Sequence, residues 1–262
     1  MAEDINKNND NEKILIEIYK DAISPAAKEV GKMVALPFQA INAALSGARI
    51  WVAEKQYNYE RTLELLAQKM RGISIDNISP PENYIAVPAL QQISYCYDSE
   101  ELRNMYANLL ASSMQNDKKW EIHPSFVDII KQLSPDEAKI LKKLNQVGRE
   151  AIVSIAANNE KGESIITYKD YSLIGYKAQC DNPQNTNVYI DNLCRLGLIL
   201  NGTGIRWLTK EELYNEIYKL NCVAEIIDSI KSRKDEYNTP DYEKGYIELT
   251  SFGKSFCNVC IS

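Results

Sequence analysis

The stretch DSEELRNMYANLLASSMQNDKKWEIHPSFVDIIKQLSPDEAKILKKL, Asp98 to Leu144, decides how this chain is read. Leu102, Met105, Tyr106, Leu109 and Leu110 recur at steps of three and four, which is one apolar face at the helical period. Phe126, Ile129, Ile130 and Leu133 form a second face after the polar turn Asn116-Asp117-Lys118-Lys119. Ser134-Pro135-Asp136-Glu137 opens a third helix: a capping hydroxyl, a proline suited to the first helical position, and a glutamate three residues past the cap. None of the three can bury its face alone, so they must pack on one another or on a neighbour.

Working outward toward the amino terminus, Pro88 is expected to open a short helix through Leu90 and Ile93, and Ile73 to Pro81 reads as an extended connector. Before that, Phe38, Ile41, Leu45, Ala48, Val52, Tyr59, Leu63, Leu66 and Met70 fall near three-four spacing up to a stop at Gly72. Residues 1–11 are polar and expected to be disordered.

Toward the carboxyl terminus the pattern changes. Ile165-Ile166-Thr167 predicts a strand within Glu163 to Tyr168. Asn182 to Thr186 is turn chemistry leading into a helix with Val188, Ile190, Leu193 and Leu196, stopped by Gly197. Leu198-Ile199-Leu200 is expected to run as a strand into Asn201-Gly202, with Ile205-Arg206-Trp207 returning as a hairpin. Thr209-Lys210-Glu211-Glu212 predicts a capped helix to about Lys231, the polar tract Lys234 to Lys244 a loop, and Tyr246 to Leu249 a last strand. Thr250 or Ser251 then caps a terminal helix carrying Phe252 and Phe256.

The fold class expected is mainly α: an amino-terminal helical bundle over residues 12–150, followed by an α+β winged-helix-like domain over 151–262 with a helical insertion at about 209–231. At 262 residues the chain exceeds the usual single-domain size, which agrees with two parts. The net charge of −6 divides evenly between residues 1–150 and 151–262, so neither half has the basic excess that drives nucleic-acid binding. Six cysteines lie scattered without a framework and no secretory signal opens the chain, so free thiols and a cytoplasmic setting are expected.

Chemistry-bearing motifs are sparse. His123 is the only histidine, and general-base catalysis needs an orienting partner that the sequence does not supply, so its ring is expected to cap or pack at a helix start. Cys257 and Cys260 have half of a zinc site and no second pair completes it. Glu100, Glu101, Asp136 and Glu137 sit in first helical turns, where the helix dipole favours them. No nucleotide loop, catalytic triad or metal-binding helix is present, so no catalytic residue, cofactor or metal is assigned.

Two surfaces remain as candidates. On the helix before Gly197, Asn185, Thr186, Asn187, Tyr189, Asn192 and Arg195 could contact DNA or a protein partner, and the lack of neighbouring positive charge favours protein. In the Ala- and Gly-rich segment Ala26 to Ala53, Phe38, Ile41, Leu45 and Trp51 could meet a membrane or a second subunit, although a core helix with small residues for close packing is the favoured reading of the composition.

Asn108-Leu109-Leu110-Ala111-Ser112-Ser113-Met114, then His123-Pro124-Ser125-Phe126, then Leu133-Ser134-Pro135-Asp136-Glu137-Ala138 resemble the hallmark run of the Abi-alpha family, bacterial proteins of abortive infection. Arg195-Leu196-Gly197-Leu198-Ile199 and Leu249-Thr250-Ser251-Phe252-Gly253 resemble that family's carboxy-terminal part, so the likeness runs over about residues 25–260. The resemblance implies a role in defence against bacteriophage; with it, the chain is read as a non-enzymatic sensor or effector working through protein contacts, membrane perturbation being left open, and a winged-helix DNA-binding regulator is the alternative. It carries no catalytic residues over to this chain.

Overall fold

The computed structural model describes residues 65–93, 96 and 99–261. The expected disordered tail and most of the long amino-terminal helix lie outside them; residues 65–69 are helical, and Gly72 ends that run with φ +81°. The chain then forms α1 (Asn83–Ile93), α2 (Glu100–Ser113), α3 (Phe126–Lys131) and α4 (Pro135–Val147). Sheet begins immediately afterwards with β1 (Arg149–Asn158) and β2 (Ser164–Tyr171), followed by α5 (Ile174–Lys177), α6 (Thr186–Arg195) and β3 (Ile199–Asn201). The last elements are α7 (Glu212–Tyr218), α8 (Asn221–Lys231), β4 (Thr239–Leu249) and α9 (Ser251–Cys260).

The three central helices form as their periodicity predicts. Ser134 accepts the Glu137 N–H and the Glu137 carboxylate accepts the Ser134 N–H at 2.6 Å, a complete capping box. Pro88 does not open α1; it lies inside it, and the bond it forfeits belongs to the carbonyl of Tyr84, whose side chain is on the exposed side of the helix. The connector before α1 is not uniformly extended: it makes a short 3-10 turn at Ile75–Asn77 and one bridge, Ile78 to Gln115, which ties it to the end of α2.

The sheet is antiparallel throughout, in the order β2-β1-β4-β3. β1 is central and buried on both faces: Ile152 joins the larger core, while Ala151, Val153, Ile155 and Ala157 join a smaller one under α7 and α8. Such a strand shows no apolar–polar alternation, which is why Arg149 to Asn158 does not announce itself in the sequence. β4 pairs with β1 over its whole length, so Thr239 to Lys244 is strand rather than loop. β3 pairs with β4, and Gly202 N–H and Gly204 N–H donate to the Tyr246 and Lys244 carbonyls, so Ile205-Arg206-Trp207 does not return as a hairpin strand. The insertion is two helices, not one. It starts at Glu212 without a Thr209 cap and breaks at Leu220, an extended residue that lets Tyr214 and Ile217 from one helix and Val223, Ile226 and Ile230 from the other cover the same face of the sheet.

The larger core is continuous across the helix-to-sheet change at Gly148, running from Leu66 to Cys260. α9 closes it. Phe256 stacks edge-on against Phe126 at 5.2 Å, and Thr250 caps the helix by accepting the Gly253 N–H. The resembling strings turn out to be mutual contacts. Asn108 Nδ2 donates to the Cys260 carbonyl at 2.8 Å and Ser112 Oγ to the Val259 carbonyl at 3.3 Å, satisfying helix-end acceptors that lie 152 and 147 residues away in sequence. Thr250 Oγ1 donates to the Gly197 carbonyl at 2.7 Å, joining Leu-Gly-Leu-Ile to Leu-Thr-Ser-Phe-Gly. Asn108→Ala removes a buried donor from the Cys260 carbonyl and is expected to cost about 1–3 kcal/mol. A urea midpoint equal to that of the native protein would contradict this.

Candidate functional site

A polar seam joins the start of α4 to α6. Asp136 and Glu137 are buried, each about 4% exposed. The Asp136 carboxylate accepts from Asp181 N–H at 2.8 Å, Asn182 N–H at 3.0 Å, Tyr189 O–H at 3.0 Å and Lys139 Nζ at 3.4 Å. Burial alone would push its pKa up; the hydrogen bonds from Asn182, Asp181, Tyr189 and Lys139 outweigh it and leave the carboxyl below its ordinary value. Burial, then the bond to Asp136, pushes the Tyr189 phenol up to about 12, so it remains a donor. Glu137 Oε1 accepts from Asn192 Nδ2 at 2.7 Å. Arg195 reaches Gln132 Oε1 at 3.1 Å and Asn192 Oδ1 at 2.7 Å.

The six residues proposed from sequence for DNA or partner contact therefore divide. Tyr189, Asn192 and Arg195 make bonds within the chain, and Thr186 is buried with its hydroxyl donating to the Pro183 carbonyl at 2.6 Å. Asn185 and Asn187 remain exposed, beside Val188 at 58% exposure and Asp191, which pairs with Lys169 of β2 at 3.2 Å. The phase of the helix carried the signal: Tyr189 and Asn192 each stand one residue before Ile190 and Leu193, on the flank of the buried stripe. Phe38, Ile41, Leu45 and Trp51 lie outside the described residues. No helix among the described residues is long and apolar enough to cross a membrane.

A surface that sequence reasoning assigned to a strand lies on the loop after β3. Ile205 is 76% and Trp207 62% exposed, on either side of Arg206. Large apolar side chains this open are informative where several occur together.

Most of the groups with reactive side chains are engaged or buried, Cys222 being an exposed free thiol. His123 Nδ1 accepts from Ser125 N–H at 3.2 Å and contacts its hydroxyl at 2.6 Å, while the ring meets Phe252 edge-on at 5.6 Å; it precedes α3 and its ring rests on Phe252. Burial pushes the thiols of Cys96, Cys180 and Cys194 up to about 11 and that of Cys257 up to about 12, away from the thiolate form that attacks or binds metal. Among the described residues no group of His, Cys, Asp and Glu is arranged to hold a metal ion.

One further concavity, of about 690 Å³, opens between α2 and α4. Its α4 wall carries Lys139, Lys142, Lys143 and Gln146, its α2 wall Glu100, Glu101, Asn104 and Asn108, and Lys177 with Gln179 stands at its rim.

A model of the abortive infection alpha family matches residues 54–260 of this chain. No curated protein matches it. A solved structure of an uncharacterized protein from the hydrocarbon-degrading marine bacterium Alcanivorax borkumensis SK2 is similar over 56% of this chain and 96% of its own, at 13% sequence identity and a TM-score of 0.39, a likeness too loose to carry an argument.

Proposed function

The chain belongs to the abortive infection alpha family, whose role is defence against bacteriophage, and from that premise we propose that it acts as a non-enzymatic effector or sensor through contacts with a protein partner. The observation that carries this reading is the division on α6. The side chains a base-reading helix would extend are spent within the chain, Tyr189 and Asn192 on α4 and Arg195 on Gln132 and Asn192, whereas the loop after β3 presents Ile205 and Trp207 to solvent. Aromatic side chains at exposed positions are the commonest anchors of protein interfaces, and DNA affinity needs clustered cations that α6 lacks.

The arrangement supports a winged-helix-like module behind this surface. The order α4, β1, α5, α6, β3, β4, with β4 lying between β1 and β3, favours a winged-helix reading, in which β2 and the α7–α8 pair would be two insertions. A wing built of Ile205, Arg206 and Trp207 serves protein contact better than phosphate contact.

Truncating an interfacial tryptophan costs about 2 kcal/mol or more of binding, roughly thirtyfold in affinity. Ile205→Ser/Trp207→Ser is therefore expected to abolish protection of phage-challenged cells while the far-UV spectrum and melting temperature stay those of the native protein. Full protection by the folded double variant would overturn the proposal. Tight duplex binding by the native chain at low salt would favour the DNA-binding alternative instead.

A further inference from the structure

We propose that the cleft between α2 and α4 is a binding site for a small phosphate-bearing ligand, a role distinct from the partner surface and independent of it. The sequence builds the basic wall in a simple way. α4 buries Ile140, Leu141 and Leu144, and the helical period then places Lys139, Lys142, Lys143 and Gln146 together on a neighbouring face. That face does not run off into open solvent. It lines a concavity of about 690 Å³, within the range of small-molecule sites.

The charges divide into those already used and those left over. Lys139 is held by Asp181 at 3.0 Å and Asp136 at 3.4 Å, and Lys177 by Glu150 at 2.5 Å. Lys142, Lys143 and Lys69, which also lines the cleft, have no ion pair among the described residues. Lys143 is half-buried and lines the cleft. Three lysines that line one concavity and have no ion pair among the described residues suit a group with several negative oxygens, and a lysine serves a phosphate as a point charge.

The opposite wall narrows the class further. Glu100 and Glu101 would repel a ligand that is anionic throughout, and Asn104, Gln146 and Gln179 offer donors and acceptors together. A molecule with phosphates at one end and a hydrogen-bonding, uncharged or weakly cationic head at the other matches both walls, as a nucleotide does. Gln179 has φ +56°, a left-handed conformation in a residue with a side chain, and it stands at this rim. The Asn108 amide is fixed by its bond to the Cys260 carbonyl, so the bottom of the cleft is rigid before any ligand arrives.

Calorimetric titration of the full chain at low salt with ATP, tripolyphosphate and adenosine tests the assignment. ATP is expected to bind saturably with one site per chain, and adenosine to bind far more weakly. ATP binding tighter than tripolyphosphate assigns the α2 wall to the base; equal binding assigns the site to the phosphate chain alone, and either supports a phosphate site. Lys142→Glu/Lys143→Glu is expected to weaken ATP on the order of tenfold or more, the sum of two partly screened charge contacts. The neutral Lys142→Gln/Lys143→Gln variant should fall between, and Lys131→Glu, an exposed lysine that does not line the cleft, should bind as the native chain does. The proposal is overturned if neither phosphate probe binds, if adenosine binds as well as ATP, or if Lys131→Glu weakens binding as much as the cleft variants.

Discussion

Gly253→Ala is expected to destabilise the protein by about 3 kcal/mol or more, through overpacking against backbone that cannot move aside. A Cβ at this position would overlap the carbonyl oxygen of Leu198, which is itself fixed by the Thr250 N–H at 3.0 Å. In an isolated helix the same change would stabilise by about 1 kcal/mol, so the sign of the effect reports the close approach of two chain segments and not helix propensity. A chain of this size loses about 2–4 °C of melting temperature per kcal/mol, which puts the expected fall near 10 °C. Lys254→Ala, one residue on and exposed, should change almost nothing. Equal melting temperatures for Gly253→Ala and the native protein would mean that α9 and the Leu198 turn do not meet in this way.

The second large effect belongs to Asp136. Asp136→Ala strips an acceptor from two backbone N–H groups, the Tyr189 hydroxyl and Lys139, and removes a negative charge from the first turn of α4. Hydrogen bonds to a charged group contribute more than neutral ones, so a loss of about 3 kcal/mol is expected near neutral pH. The pH dependence has a definite sign. The folded carboxyl titrates below its ordinary value, so the charged form stabilises the fold at all pH above the unfolded pKa of about 4, and that contribution fades as pH falls through the lower folded pKa. Urea titrations of both proteins should therefore differ most at pH 6–8, with the gap closing progressively below about pH 4. A gap that widened in acid would show that Asp136 is not held in its charged form.

How much of this was legible beforehand depended on whether a residue answered to a local rule. The Ser134 capping box, the Thr250 cap and the stop at Gly197 are local, and each is found where the sequence places it. β1 is the contrary case, because a strand covered on both faces carries neither alternation nor turn chemistry within it. Asp136 and Glu137 read as acids favoured by a helix dipole, which is true and incomplete: Tyr189 and Asn192 reach them from a helix more than fifty residues away. The α4 lysine stripe is visible as a period, yet only the position of α2 turns it into the wall of a cleft. The strings that resemble the family were recognisable before their purpose was, since Asn108, Ser112, Gly197 and Gly253 mark contacts between distant segments.

The Asn108–Cys260 bond has a consequence for biosynthesis. Residues 251–260 supply Phe256, Cys257, Val259 and Cys260 to the same interior as α2 and α3, so a nascent chain still lacking them carries an open apolar trough. A contact that closes across 152 residues carries a large loop-closure cost, so the helical half gains its last wall only when the carboxy-terminal helix docks. The interior of the helical half is therefore closed only once residues 251–260 are in place.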